Sequence, residues 1–445
     1  MFYINKNTEL TTELLNKMIQ RFITEDKPKL EKNKKYYDGI QAILNKSYTD
    51  ESKPCNRTIT NYCKNIADSY CGYLASPGFI SYRSEQDIED VMDILRYNDY
   101  QAEDSDFLLD ALVYGRASEL MFTDEAGKVR FKLIEPTQCF AVCDDSLTGD
   151  LLHFVRMYKA NDWDESDTYN VDVYSDWIVK HYTMNGMGGL LTLTGEEYHF
   201  FNQCPANYWE LPDGKSIFDC IVTLQDAANE LLSSEIDDYS AFCDAYLTLT
   251  GLDADGDDIK KMKENRVLIL PEGASASWLT KAASDAQVEN ILKRIHESIY
   301  RIAACPDFSS ESFVGGVSSG IAIQYRLTGM ETRAAKICAE MKKALQRRVE
   351  IICSIASLKL GEEVFRDIQI DFKRNIPEDQ TAVINMINTL KGTVSDATLL
   401  SQLDFIQDVN AEIAAVNEQK QANIEAYGLG LINTSPEDED TAEDE

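Results

Sequence analysis

Ser284-Asp-Ala-Gln287 opens a run that Asp307-Phe-Ser-Ser-Glu-Ser-Phe-Val-Gly-Gly-Val-Ser318 interrupts and that resumes through Leu358. The opening residues form a capping box of the S-x-x-Q kind, which satisfies N–H groups at a helix start. Val288, Ile291, Ile295, Ile299 and Ile302 then mark one helical face before Pro306 ends the run. Beyond the interruption, Leu327, Met330, Ala334, Ile337, Met341, Ala344, Ile351, Ile355 and Leu358 keep a 3–4 spacing that only Arg348 breaks. A helix over 319–358 would be a rod of about 60 Å. Between the two rods, Gly315 and Gly316 accept backbone angles that other residues resist, and the serines offer no core. The pattern predicts a pliable loop held by two long struts, a mechanical part with no catalytic residue set.

Outward from this stretch, the chain alternates between helical and β patterns. Residues 9–46 read as helical and lysine-rich (Lys27, Lys29, Lys32, Lys34, Lys35), 58–75 as a second helix, and 86–115 as two more. From Ala117 the period falls to two, and the turn at Asp124-Glu-Ala-Gly127 predicts a hairpin. Strand-like segments at 153–159, 170–174, 177–182 and 197–201 make 117–202 a mainly β insert. Helix returns at Ser216, capped through Ser216-x-x-Asp219, and runs to about Phe242 with Ile221, Leu224, Ala228, Leu231 and Tyr239 inward. A small α/β module follows, with strands at 246–250 and 267–270 and a helix at 257–265. A strand at 367–372 and helices at 378–391 and 396–427 complete the reading.

The 445 residues are 44% hydrophobic and 27% charged, ordinary for a folded protein with a sizeable core. No apolar run reaches the roughly 18 residues that a bilayer crossing needs, so no membrane partner is expected. The first residues lack a basic segment followed by an apolar one, so no secretory signal is expected and folding is placed in a cytoplasm. The eleven cysteines include no C-x-x-C pair and no disulfide-framework spacing, which predicts reduced, partly buried thiols. Net charge is −33, from 76 acidic against 43 basic side chains. Seven of the acids lie in Pro436–Glu445, read as a disordered tail, and removing them still leaves −26. Such a surface repels polyanions and excludes tight nonspecific DNA binding, while allowing DNA to slide past.

Three patterns carry possible chemistry. Gly214-Lys215-Ser216 is the tail of a phosphate-binding loop, but the first glycine position holds Trp209 and the residues before it do not read as a strand. Asp253-x-Asp255-x-Asp257 with Glu264 mimics a calcium loop, yet the sharp-turn position holds Asp258 where glycine is required. His153, His181, His199 and His296 are scattered without partners at zinc-ligand spacing. No metal and no cofactor is therefore expected. Basic residues concentrate on 319–358, where Arg326, Arg333, Lys336, Lys342, Lys343, Arg347 and Arg348 face Glu331, Glu340 and Glu350. That excess suits a solvated face, a salt-bridge ladder between copies, or a DNA contact.

Several ordered blocks give the chain a family likeness. They are Asn56-Arg57 with Gly72-Tyr73-Leu74; Asp110-Ala-Leu-Val-Tyr-Gly-Arg-Ala117; Asp244-Ala-Tyr-Leu-Thr-Leu-Thr-Gly251; Ile299-Tyr-Arg-Ile302 and Ser319-Gly-Ile-Ala322; and Phe372-Lys-Arg-Asn-Ile-Pro377. From about residue 20 to 415 the sequence resembles the portal proteins of tailed bacteriophages, of the type found in siphophages of Gram-positive hosts. It departs from their pattern at 207–213, where an Asn-rich turn would stand.

The resemblance implies an α+β portal fold assembled as a ring, typically a homododecamer, at one capsid vertex of the virion after assembly in the host cytoplasm. It divides the chain into a wing (1–217, returning at 359–400), stem helices (218–244 and 284–304), a clip (245–283), a tunnel loop (305–318), a long bridging helix (319–358) and a short crown (401–432), before the acidic tail at 433–445. It puts Ser309, Ser310, Glu311, Ser312, Phe313, Val314, Gly315, Gly316, Val317 and Ser318 at the DNA channel. Lys293, Arg294 and Arg301 fall on the stem. Asp253, Asp255, Asp257, Asp258, Lys260, Lys261, Lys263 and Trp278 fall on the clip, where the terminase large subunit and the head–tail adaptor would dock. Double-stranded DNA, the major capsid protein and scaffold complete the implied partners, and no enzymatic activity is implied. The alternatives are a nucleic-acid-processing NTPase using Gly214-Lys215-Ser216, and another ring connector of the virion.

Overall fold

The structure is a computed structural model that describes residues 1–50, 53–76, 80–159, 167–242, 246–250, 275–279, 285–310, 320–355, 364–374, 380–400 and 412–421, with single positions at 78, 163, 273, 403 and 409. In chain order, the first compact unit (Met1–Asn375) holds β1 (Phe2–Ile4), α1 (Thr12–Arg21), α2 (Lys27–Tyr37), α3 (Tyr62–Leu74), β2 (Ile80–Arg83), α4 (Glu89–Tyr97) and α5 (Tyr100–Tyr114). There follow β3 (Arg116–Thr123), β4 (Val129–Leu133), β5 (Cys139–Asp144), β6 (Leu151–Lys159), β7 (Thr168–Tyr174), β8 (Ile178–Asn185), β9 (Leu191–Tyr198) and β10 (Ala206–Glu210). The unit closes with α6 (Val222–Phe242), β11 (Tyr246–Thr250), β12 (Ser275–Leu279), α7 (Asp285–Ile302), α8 (Gly320–Cys353), α9 (Val364–Asp367) and β13 (Gln369–Phe372). The second unit, Ile376–Glu445, contains α10 (Gln380–Leu390), α11 (Asp396–Leu400) and a helical stretch at 412–421.

The β insert divides into two sheets. The larger runs β1-β5-β6-β7-β8-β9, antiparallel except for the parallel β1–β5 pair. The smaller runs β10-β3-β4, with the expected hairpin pairing Thr123 with Val129. Leu120, Ile134, Cys139, Phe154, Cys204 and Ala206 form a buried cluster where the two sheets meet. Every residue of β5 is buried, so that strand lacks the alternation by which the others were read. β2 and β13 make a separate pair, which brings residues 80–83 beside 369–372.

Several expectations are corrected. The helix read over 9–46 is interrupted by a π-helical turn at Phe22–Asp26, ends at Tyr37, and is followed by a 3-10 turn at Ala42–Asn45. Gly39, at φ +81°, turns the chain there. The strand read at 197–201 lies earlier, at β9, while β10 is a true strand that ends four positions before Gly214. The helix read from Ser216 begins at Val222 after a 3-10 turn, Asp219–Ile221. Ser216 Oγ donates to the Leu112 carbonyl at 3.1 Å instead of capping that helix. Tyr239, read as inward, is 74% exposed. In the second unit, the helix read over 396–427 is not continuous, because Leu403 lies outside any helix. The helix at 257–265, the strand at 267–270 and the tail at 433–445 lie outside the described residues, as does most of 401–432; β11 pairs with β12.

Gly115 shows why one quoted block needs its glycine. It ends α5 at φ +83°, and a Cβ there would meet the Lys215 carbonyl carbon at 2.8 Å. A side chain would both strain the backbone and push apart the α5 terminus and the 214–215 turn.

Candidate functional site: two anchored helices and the root of a loop

The two struts exist. α7 spans 18 residues and α8 spans 34, about 51 Å of helix. On α8 the expected stripe is buried at Leu327, Met330, Ala334, Ile337, Met341, Ala344 and Ile351; the helix ends at Cys353, Ile355 is buried just beyond it, and Leu358 is outside the described residues. On α7 the expected stripe is only partly covered: Ile299 is buried, but Ile291 and Ile302 are 40% and 49% exposed.

Between them, the loop has a stiff root. The Asp307 carboxylate accepts from Ser309 N at 3.0 Å and Ser309 Oγ at 2.7 Å, and lies 2.9 Å from His296 Nε2 on α7. Partial burial pulls its pKa up, but the Ser309 and His296 contacts prevail and hold it below the usual carboxylate range. His296 Nδ1 lies 3.2 Å from the Tyr62 hydroxyl, and its ring packs edge-on against Tyr300 at 4.9 Å. Tyr70 donates to the carbonyls of Ala303 and Ala304 at 3.0 and 3.1 Å, and Arg333 of α8 donates to Ala303 at 3.3 Å. Ser309 and Ser310, read as part of the pliable segment, therefore belong to a hydrogen-bonded turn. Glu311, Ser312, Phe313, Val314, Gly315, Gly316, Val317 and Ser318 lie outside the described residues.

The one break in the α8 stripe is its anchor. Arg348 is fully buried, and its Nε donates to both Glu119 oxygens at 2.8 and 3.0 Å. Nη1 bonds Asp104, while Nη2 approaches Glu119 Oε2 at 2.8 Å as an ion-pair contact without hydrogen-bond direction. The guanidinium also lies 4.5 Å from the Phe131 ring centroid. Asn207 donates to Glu119 at 2.7 Å and to the Ala344 carbonyl at 2.8 Å, and Tyr82 donates to Asp104 at 3.0 Å. Burial raises the Asp104 pKa, an effect that Arg348 opposes without cancelling. Five elements (β2, α5, β3, β10 and α8) thus meet at one ionic knot. Nearby, Arg374 clasps Glu331 of α8 at 3.0 Å, and Tyr73 donates to the same carboxylate at 2.7 Å.

α6 is held differently. Besides Val222 and Ala228, it buries a line of Gln225, Asn229, Ser233 and Asp237, about one residue per turn and all polar. Their side-chain oxygens accept from the backbone N–H groups of Tyr62 (2.9 Å), Thr60 (3.0 Å), Thr58 (2.9 Å) and Asn56 (2.5 Å). The match is geometric: four residues of helix rise about 6 Å, and two residues of extended chain about 6.6 Å. The helix face replaces a neighbouring β-strand for residues 56–62. The ladder was visible in the sequence as polar residues at strict i+4 spacing, a signal that an apolar-stripe reading passes over.

The remaining candidates are scattered. Lys293, Arg294 and Arg301 are exposed on α7, with no ion-pair partner among the described residues. Trp278 stands in β12 opposite Leu247. Asp253, Asp255, Asp257, Asp258, Lys260, Lys261 and Lys263 lie outside the described residues, as does Glu264 of the calcium-like pattern. Gly214-Lys215-Ser216 does follow a strand, and Lys215 and Ser216 line a cleft of about 660 Å³ with Thr332, Arg333 and Lys336. Five residues separate Ser216 from Val222, the first residue of α6, so the N-terminus of that helix is not aimed at a phosphate there. Among the described residues no group of His, Cys, Asp and Glu is arranged to hold a metal. The described cysteines are unpaired, and burial pushes the thiols of Cys63, Cys139 and Cys204 up to about 12.

A layered α+β body thus carries an ionic knot under a 34-residue helix and a loop rooted between two helices. Residues 17–426 match the model of the family described as phage portal protein, SPP1 Gp6-like, and the chain belongs to that family of phage portal proteins. The portal protein of Bacillus phage SPP1 is 22% identical over 472 residues, covering 96% of this chain and 91% of the relative. A chain from the neck of a native GTA particle, solved with C12 symmetry, superposes with a TM-score of 0.45 at 11% identity, over 76% of this chain and 89% of that one.

Proposed function

We propose that copies of this chain stand side by side as a ring, a dodecamer, at one vertex of the capsid, and that double-stranded DNA is packaged and ejected through its centre. The rooted loop carries this reading. Asp307, His296, Tyr70 and Arg333 fix the turn from which segment 311–318 departs, and the Gly315-Gly316 pair of its sequence accepts backbone angles that other residues resist. Within that reading 1–217 and 359–400 are the wing, 218–244 and 284–304 the stem, 245–283 the clip, 305–318 the tunnel loop, 319–358 the bridging helix and 401–432 the crown. The terminase large subunit and then the head–tail adaptor dock at the clip, while capsid protein and scaffold surround the wing. The partly uncovered apolar face of α7 supports copy-to-copy packing, because a heterologous contact that closes on itself makes a ring. Net negative charge supports passage of DNA without sticking.

The chain is a conduit and platform, and ATP hydrolysis falls to the terminase. Shortening Val314–Val317 is expected to leave rings intact under negative stain and to abolish packaged DNA. Unchanged phage yield from that deletion refutes the channel role of the loop.

A further inference from the structure

Each copy carries a net charge of −33, so copies repel one another at range and ring closure needs directed short-range attraction. A heterologous contact also needs two different faces on every copy, one for each neighbour. Two such faces are present. α2 carries five lysines against Glu31, and residues 85–97 carry five acids against Arg96, so their local charges are +4 and −4.

α2 buries Leu30 and Tyr36 and leaves Lys29, Lys32 and Lys35 exposed. None of the three has an ion-pair partner among the described residues, whereas Lys27 and Lys34 are satisfied locally by Glu31 and Asp38. α4 buries Val91 and Leu95. Arg96 pairs with Glu89 and Asp93, which leaves Glu85, Asp87 and Asp90 exposed without a cation among the described residues. Both helices pack on α5, so the two faces belong to one body, and no ion pair among the described residues joins them.

We infer that the Lys29/Lys32/Lys35 face of one copy docks on the Glu85/Asp87/Asp90 face of the next. This rests on the ring reading above and names the contact that closes it. A cluster of exposed pairs at the rim of a larger apolar contact sets orientation and partner choice more than total affinity. The lysine face thus meets a protein carboxylate surface, not nucleic acid.

The test uses two full-length variants. One is Lys29→Glu with Lys32→Glu and Lys35→Glu; the other is Glu85→Lys with Asp87→Lys and Asp90→Lys. Circular-dichroism melts report whether each remains folded. Alone, each variant sets like charge against like at every contact, and its ring fraction by native mass spectrometry falls about tenfold or more. Mixed in equal amounts, they restore complementarity at every contact and form rings that alternate the two chains in a one-to-one ratio. Folded variants that each form rings as well as the wild type overturn the inference while leaving the ring reading standing. So does a mixture of folded variants that stays monomeric. Rings that persist in the lysine variant while retention on duplex DNA is lost assign the face to nucleic acid, and also overturn it. A wild-type protein that never forms rings sinks the ring reading, and this contact with it.

Discussion

α8 and α6 are held to the same body by opposite means. α8 presents an apolar stripe broken by one charge, Arg348, whereas α6 presents four polar side chains in line. The stripe gains stability from area removed from water, and its ionic knot must repay the desolvation of three charged groups. The ladder gains little net energy per bond, but it pairs the backbone N–H groups of Asn56, Thr58, Thr60 and Tyr62, which would otherwise cost a desolvation penalty against α6. Apolar packing tolerates small slides and repacking. A ladder matched turn by turn to an extended strand admits one register, so α6 is the more narrowly positioned helix. α8 is pinned most deeply at Arg348, with a second clasp of Arg374 and Tyr73 on Glu331.

Removing that pin has the largest expected effect. Arg348→Met leaves Asp104 and Glu119 buried without a cation and costs about 3–5 kcal/mol, read as a fall in the urea midpoint. Adding Asp104→Asn and Glu119→Gln to that variant recovers much of the loss; if it recovers none, the knot acts through packing and not charge.

Breaking one rung of the ladder costs less. Asn229→Ala strands the Thr60 N–H and the Gln41 Oε1 and removes one of the acceptors of the Gln225 amide, at about 1–3 kcal/mol by the same measurement. Hydrogen exchange at Thr60 should accelerate in that variant while exchange along α8 is unchanged. Equal acceleration in both places would contradict the independence of the two attachments.

The smallest effect separates a buried carboxylate with an ion-pair partner from one without. Asp104 pairs with Arg348; Asp110, six residues along α5, has no ion-pair partner among the described residues, and burial with Glu135 and Asp106 nearby outweighs the more distant Lys34 and pushes it up to about 7. A folded-state pKa above the unfolded value of 3.8 gives stability that is present at low pH and lost as pH rises through about 7. Asp110→Asn should therefore match the wild type near pH 4 and exceed its stability above pH 7. The gain is on the order of 1–2 kcal/mol once solvent screening of a half-buried group is allowed for. Thermal melts across that range check it, and a constant difference at every pH rules the titration out.

The apolar stripe of α8, the paired helices at 86–115 and the hairpin after Ala117 were legible because each repeats within a few residues at the period of its own geometry. β5 and β1 were not, since one is buried on both faces and the other is three residues long. The root of the loop between α7 and α8 was not legible, because the turn at Asp307 depends on His296, eleven residues earlier on another element.

By itself the sequence determined the alternation of helical and β segments, the acidic balance, and the family, because these are carried by composition, local period and ordered short blocks. Tertiary structure alone decided that Arg348 would be an anchor and not a solvated charge. Its partners lie 229 and 244 residues away, and no local pattern states which distant carboxylates a long helix will cover. It likewise decided that the polar line on α6 would serve as a strand edge, because a hydrogen-bond ladder exists only once both halves are in register.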